Sequence, residues 1–309
     1  MSEPINKEEL KDSFKHEGEE CSYYSLERLQ DQLGQDLSGL PISVRILLES
    51  LIRNYDGETI TSDHIESLAG WSPAYGAYAD TVTARAEWTA PVPDTLSLRE
   101  AGGMLLQGIT AHNCLIEWGC LEPGETVLIN AAAGGVGTMA VQIANARGAT
   151  VVGTASTETK LDLVSELGAD YLIQYTEEDI PESVTERVRK GAVDLVLDGV
   201  GGQAFKNSMD VLASGGTMVS YGVASGRPPT VTTPRLYYRN LTLKGYHMLR
   251  ASETMYDQVI EGLDNLYQLI ENGEVEPVIG DTYPLSEASQ VHEAMINRST
   301  TGRPVLIPE

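Results

Sequence analysis

Residues 126–138 read Thr126-Val127-Leu128-Ile129-Asn130-Ala131-Ala132-Ala133-Gly134-Gly135-Val136-Gly137-Thr138. Three apolar residues, Val127, Leu128 and Ile129, are followed by small residues, then by glycines, then by an amphipathic run. This order predicts a buried strand, a tight turn and the start of a helix. Ala132, Gly134 and Gly137 fall on the G-x-G-x-x-G spacing, with alanine at the first place. The spacing serves close approach. A pyrophosphate rests on the first amides of a helix, where unpaired N–H groups and the helix dipole favour an anion. A side chain at Gly134 would push the anion away, and one at Gly137 would hold the helix off the strand. A glycine turn between strand and helix also occurs without any ligand, so the surrounding pattern has to decide.

That pattern is an alternation. Strand-like segments lie at 126–131, 150–155, 171–175, 193–197, 217–222 and 241–245. Helical patterns lie at 136–147, 158–167, 182–189 and 202–212, and a helix over 254–272 closes the unit. Strands alternating with helices predict a parallel sheet covered on both faces, and right-handed crossovers make it a doubly wound dinucleotide fold. Gly168-Ala169-Asp170 reads as a helix C-cap that leads back to a strand.

The end of the second strand of such a sheet selects the cofactor. A carboxylate there binds the ribose hydroxyls of NAD and repels the additional phosphate of NADP. The residue 19 positions after Gly137 is Ser156, and Lys160 follows one helical turn later, with Tyr175 ending the third strand. A hydroxyl, an ammonium and a phenol suit a phosphate, which predicts NADP(H). The competing reading is that Ser156 caps the next helix and Lys160 is solvated beside Glu158. Asp198-Gly199-Val200-Gly201-Gly202 and Tyr221-Gly222 end the fourth and fifth strands, where ligands lie in open α/β sheets. Gly199 and Tyr221 are expected near ribose or nicotinamide. Asp198 is read either as a ligand contact or as a helix N-cap.

Composition bounds the rest. The chain has 309 residues, 41% of them hydrophobic, which allows about two domains and a packed core. No long uncharged apolar run predicts a membrane span, and the charged opening lacks an apolar signal core, so a cytoplasmic protein is expected. Cys21, Cys114 and Cys120 make neither a disulfide framework nor a four-cysteine zinc cage; no metal site is expected. Cys114 and Cys120 are expected to be buried. The net charge is −24, and residues 1–71 carry 6 basic and 15 acidic residues against 15 and 30 in the remainder. Acidity spread in this way argues against nucleic acid or anionic membranes as partners and predicts a salt-adapted surface.

The flanks carry less chemistry. The opening is polar and predicts a frayed segment. After Pro41, Val44, Leu47, Leu48 and Leu51 form one helical face, and Thr61-Ser62-Asp63 caps a short helix through Ile65 and Leu68. A β-type stretch starts near Tyr75, and residues 96–119 read as a helix in which Gly102, Gly103 and Gly108 thin the side-chain layer for a close-packed backbone. His64 is expected on the surface, His112 either on a helix surface or touching a ligand, and His292 on a helix in a structural or exposed place. At the C-terminus, 286–297 reads as a helix, 300–303 as a turn whose Arg303 either meets a phosphate or is solvated, and 305–307 as a strand.

Two resemblances add to this reading. Tyr24-Ser25-Leu26, residues 40–50, Arg53-Asn54, Asp56-Gly57 and Leu68-Ala69-Gly70-Trp71 resemble the extreme N-terminus of aconitase-family hydratases. The cluster and substrate residues of that family lie beyond such a segment, so its chemistry does not carry over. From Gly76 to Pro308 the chain resembles the quinone reductase branch of the medium-chain dehydrogenase/reductase family. Gly76-Ala77-Tyr78-Ala79, Leu106-Gln107-Gly108-Ile109-Thr110-Ala111-His112, Ala131-Ala132-Ala133-Gly134-Gly135-Val136-Gly137, Asp198-Gly199-Val200-Gly201-Gly202 and Thr300-Thr301-Gly302-Arg303-Pro304 carry that likeness.

The resemblance implies NADPH and hydride transfer to quinones or other electron-poor alkenes and carbonyls, without zinc. It implies cofactor contacts at Thr110, Ser156, Lys160 and Tyr175, besides the glycine-turn residues Ala132, Gly134, Gly135, Val136 and Gly137. It also implies that most of a GroES-like half is missing. The expected fold is therefore α/β: a doubly wound parallel Rossmann sheet (123–279), an incomplete GroES-like β remnant (72–122 and 280–309) and an N-terminal helical appendage (1–71). Expected partners are a small-molecule electron acceptor and a second copy of the chain, paired through the sixth strand. No catalytic side chain is assigned. The competing function is a catalytically impaired NADP(H)-binding fusion with a structural or interaction role.

Overall fold

The computed structural model describes residues 5–16, 19–38, 40, 42–57, 60–69, 78, 89–188, 191–297 and 299–308. The β-type stretch expected after Tyr75 lies outside them, apart from Tyr78. The chain divides into two compact units, Met1–Thr89 and Ala90–Glu309.

The first unit is mixed, not purely helical. Helix α1 (Lys7–Leu10) leads into an antiparallel hairpin of β1 (Lys11–His16) and β2 (Glu19–Tyr24), in register Lys11 to Tyr24. The opening expected to fray is thus a paired element, with Phe14 and Tyr23 in edge contact at 5.9 Å. Helix α2 (Leu26–Leu33) starts at Ser25, whose hydroxyl accepts from the Arg28 N–H, and ends at Gly34 in the left-handed conformation. Helices α3 (Ile42–Arg53) and α4 (Ser62–Ala69) follow the predicted patterns. Leu10, Leu29, Leu48, Ile52 and Ile65 form this unit's core. His64 is exposed.

The second unit is built on a six-stranded parallel sheet. Its strands are β3 (Thr126–Ile129), β4 (Thr150–Ala155), β5 (Tyr171–Gln174), β6 (Val193–Asp198), β7 (Leu212–Ser220) and β8 (Thr242–Gly245), ordered β5-β4-β3-β6-β7-β8. That order reverses between β3 and β6, the switch point at which a doubly wound sheet opens its crevice. Helices α5 (Leu98–Asn113), α6 (Gly135–Ala146), α7 (Glu158–Glu166), α8 (Ile180–Arg187) and α9 (Gly202–Val211) precede or link the first five strands. The short α10 (Thr233–Tyr237) precedes β8.

Burial explains the strand sequences. Val127 and Ile129 belong to one core cluster with Met139, Ile143, Leu263 and Leu266, while Leu128 belongs to a second with Val152, Val196, Phe205 and Met218. A strand covered on both faces has no polar side to alternate with, hence its continuous apolar run. Helix α5 begins with a capping box: Ser97 accepts from the Glu100 N–H, and Glu100 accepts from the Ser97 N–H. Two of its glycines, Gly103 and Gly108, admit side chains rather than a backbone, while among the described residues nothing packs on Gly102. A Cβ on Gly103 would stand 2.6 Å from Ile279 Cδ1, and one on Gly108 would stand 2.6 Å from Leu266 Cδ2. The helix ends in a π-turn over Cys114–Trp118.

Several expectations change here. The helix expected over 254–272 is α12 (Tyr256–Glu271), and a separate short helix that was not expected, α11 (Met248–Thr254), precedes it, the two divided at Met255, which leaves helical geometry at φ −137°. A strand β9 (Ile279–Pro284) precedes α13 (Ala288–Ile296) and pairs in parallel with β10 (Arg303–Ile307). The Gly, Asp and Pro in β9 hide it from pattern reading. His112 is 3% exposed, not on a surface; burial lowers its pKa and its Nδ1 is 3.3 Å from Asn113 Oδ1. Cys114 is buried, but Cys120 is exposed, on a backbone with φ +54°.

Candidate functional site

Strand β3 ends at Ile129, and the chain turns through Ala131 at φ +54° before α6 starts. A non-glycine residue in this region is strained, and its neighbours have to hold it there. The Ala131 carbonyl accepts from the Gly134 N–H at 2.9 Å, and the Ala132 N–H donates to the Thr154 carbonyl at 2.9 Å. Gly134 is the N-cap of α6 and offers no side chain to the first-turn amides. Gly137 has no room for one: a Cβ would stand 2.6 Å from Ala132 Cα. The turn is therefore small-residue-only for packing reasons, and it leaves helix-start amides without a side-chain acceptor.

A cavity of about 490 Å³ opens above this turn. Among its lining residues are Gly134, Ser156, Lys160 and Tyr175, so four of the residues singled out from sequence meet there. Ser156 does not cap α7; the Thr157 hydroxyl does, accepting from the Lys160 N–H. Its carbonyl accepts from Thr176 Oγ1 at 2.9 Å, which joins the ends of β4 and β5.

Two acids also line this end of the cavity, and the sequence reading passed over both. Glu178 pairs with Arg187 and accepts from the Gln174 N–H. Burial pulls its carboxyl up, but the Gln174 N–H and the Arg187 guanidinium outweigh that and hold it below the usual range. Asp179 caps α8 by accepting from the Glu182 N–H at 3.0 Å. Both carboxylates are committed to donors of their own, which leaves the wall compatible with a phosphate beside Lys160.

Other predicted residues lie elsewhere. Thr110 is buried in α5, and its hydroxyl donates to the Leu106 carbonyl at 2.7 Å, so it does not line the cavity. Ala132, Gly135, Val136 and Gly137 form the turn and helix start behind the lining surface. Gly199 makes room for a protein ring: a Cβ there would stand 2.6 Å from Tyr221 Cε2. Tyr221 is partly buried, and desolvation raises its pKa. Asp198 is fully buried and accepts from the Val200 and Gly201 N–H groups, a turn-forming role. Arg303 reaches Gln107 instead of the cavity: with the amide turned to satisfy both ends, Gln107 accepts from Arg303 Nε at 3.0 Å.

Sequence reading missed part of the wall. Helix α9 contributes Gln203 and Asn207, whose side chains join through a 2.6 Å hydrogen bond. Their spacing by four on one helix face was the available signal. Asn130, Thr154, Thr300 and Gly302 also line the cavity. Gly302 forms a parallel bridge with Gly134. Among the described residues no cluster of three or more His, Cys, Asp or Glu could hold a metal ion, and no helix is long and apolar enough to cross a membrane.

Comparison with known proteins agrees with this geometry. Residues 135–265 match the family model described as zinc-binding dehydrogenase. A 2-haloacrylate reductase from Burkholderia sp is 34% identical over 244 residues, which are 77% of this chain and 72% of the relative. A mycobacterial protein solved in complex with NADPH superposes with a TM-score of 0.70 at 35% identity, covering 75% of this chain and 71% of that one. The Escherichia coli quinone oxidoreductase complexed with NADPH superposes with a TM-score of 0.67 at 33% identity, covering 72% of this chain and 69% of that one. The fold, the glycine turn and these likenesses together make the chain a member of the medium-chain dehydrogenase/reductase family, within which the matched model describes the zinc-binding dehydrogenases.

Proposed function

We propose that this chain is an NADPH-dependent oxidoreductase that passes a hydride to a quinone or a similar electron-poor alkene or carbonyl, without zinc. The observation that carries the reading is the meeting of Gly134, Ser156, Lys160 and Tyr175 on one cavity. The amides at the start of α6 bind the pyrophosphate, and the Ser156 hydroxyl and Lys160 ammonium bind the ribose phosphate. Tyr175 flanks the adenosine end with an aromatic face and a hydroxyl. Val200, Ala224, Met295 and Thr300 line the same cavity. When bound, NADPH supplies the hydride. A quinone that receives it needs one further proton to become the hydroquinone and takes it from water, so no side-chain acid is required.

Titration with NADPH and NADH, followed by NADPH oxidation in the presence of several quinones, tests the reading. Tight NADPH binding with turnover supports it; absence of dinucleotide binding ends it. One observation favours a second reading, NADPH binding without turnover: among the described residues, those that line the cavity all lie from Asn130 to Gly302. The same assay separates the two. The reading also includes a homodimer through β8, which ends the sheet order and presents a partly exposed Leu243. A monomer in sedimentation would refute that part.

A further inference from the structure

Four buried polar side chains from four places in the chain meet beside the cavity, and two of them, Asn130 and Thr154, also line it. Asn130 follows β3, Thr154 lies in β4, Asp198 ends β6 and Ser208 lies in α9. None is more than 1% exposed. Asn130 Nδ2 donates to Asp198 Oδ1 at 3.0 Å and to Ser208 Oγ at 2.8 Å. Thr154 Oγ1 donates to Asn130 Oδ1 at 3.4 Å and accepts from the Ala131 N–H at 3.3 Å. Asp198 accepts in turn from the Val200 N–H at 3.3 Å and the Gly201 N–H at 3.0 Å. Polar groups buried in a sheet of Val, Leu and Ile are costly unless fully paired, and apolar residues would serve packing alone as well.

The position of the network shows what it does. Ala131, the residue held at φ +54°, receives the Thr154 hydroxyl at its N–H and gives its carbonyl to Gly134. Both peptide groups flanking the strained residue are thereby fixed. Through Asn130 and Asp198 the same network reaches the 198–201 turn, on the other side of the β3–β6 switch point. One set of hydrogen bonds therefore holds the two turns that face each other across the crevice.

We propose that Thr154, Asn130 and Asp198 are positioning residues that hold the left-handed Ala131 turn, and through it the amides following Gly134, in the shape that receives a pyrophosphate. The proposal rests on the dinucleotide-binding reading above and adds a role, holding the turn, that is separate from lining the cavity. Ala131 would relax toward an ordinary backbone conformation without the Thr154 hydroxyl, whereas glycine occupies the left-handed region freely.

The test uses the full chain and NADPH fluorescence titration, with melting curves as a control. Thr154→Val keeps the shape and deletes the hydroxyl. It is expected to raise the NADPH Kd about fivefold to tenfold, the loss appearing in KM for NADPH and not in kcat. Thr154→Ser restores the hydroxyl and the affinity. Adding Ala131→Gly to Thr154→Val recovers most of the lost affinity, because the strain that the hydroxyl held is gone. Should Thr154→Val fail to fold, Asp198→Asn, which keeps the shape and alters one acceptor, reads the same network by the same loss of affinity. A folded Thr154→Val protein with wild-type affinity overturns the proposal, as does a loss that Ala131→Gly leaves unrepaired. A wild-type protein that binds no dinucleotide overturns the assigned function and this role with it.

Discussion

The Gly302 N–H donates to the Ala133 carbonyl at 3.0 Å. This bond ties the segment before β10 to the glycine turn after β3, two pieces of chain separated by the whole parallel sheet. Gly302 holds φ +63°, and a Cβ there would stand 2.8 Å from the Val278 carbonyl oxygen. Gly302→Ala is therefore expected to cost about 1–3 kcal/mol of stability through backbone strain and to weaken NADPH binding. Urea unfolding and a fluorescence titration measure the two effects; an unchanged protein on both would contradict the role of this contact.

Gly137 faces the same turn from inside α6. A methyl group there would meet both Ala132 Cα and its carbonyl oxygen at 2.6 Å. Backbone cannot yield as a side-chain tip can, so Gly137→Ala should move the helix start outward. The expected cost is about 1–3 kcal/mol, with dinucleotide affinity lost by a larger factor than stability alone explains. Binding measured at a temperature where the variant is fully folded separates the two.

The proposed phosphate end of the cavity rests on Lys160. Lys160→Ala should raise the NADPH Kd about tenfold, the size of one charge-assisted hydrogen bond, while leaving the NADH Kd nearly unchanged. Equal losses for both dinucleotides would show that the lysine does not read the ribose phosphate.

The capping box of α5 predicts a pH response. The Ser97 hydroxyl, followed by the Ser97 N–H, holds the Glu100 carboxyl below its ordinary range. A carboxyl lowered on folding contributes stability above its unfolded pKa, and that contribution disappears as pH falls through the lower folded value. Wild type should therefore exceed Glu100→Gln in melting temperature near pH 7, and the gap should close on acidification below the usual carboxylate range. A gap that is constant from pH 7 to pH 3 would assign the difference to something other than this charge.

The charge of −24 spread over both units predicts a response to salt. Screening relieves repulsion among like charges. Melting temperature should rise between low and molar salt. A flat or falling curve would remove the case for a salt-adapted surface.

How much of this was legible beforehand follows from the range of each interaction. The two-stranded hairpin of 11–24 was not visible, because Lys11-Asp12-Ser13-Phe14-Lys15-His16 has no apolar alternation, and pairing with β2 alone makes it a strand. The competing reading of Ser156 as the N-cap of α7 fails by one residue: Ser156 and Thr157 offer the same hydroxyl chemistry, and backbone geometry chose Thr157. Thr110 and Arg303 carried plausible phosphate chemistry, yet the Leu106 carbonyl and Gln107 took those groups first.

The amino-acid order by itself determined the strand–turn–helix units, the parallel sheet and the need for small residues at Gly134 and Gly137, because those features depend on periodicity and on sterics within a few residues. Only the tertiary structure decided which polar groups face the crevice and which are spent inside the protein. Asn130 and Asp198 stand 68 positions apart and become partners only when β6 lies beside β3. No local pattern encodes that choice, since it is made by the sheet order and by the competition of nearby carbonyls and amides for each hydroxyl, ammonium and guanidinium.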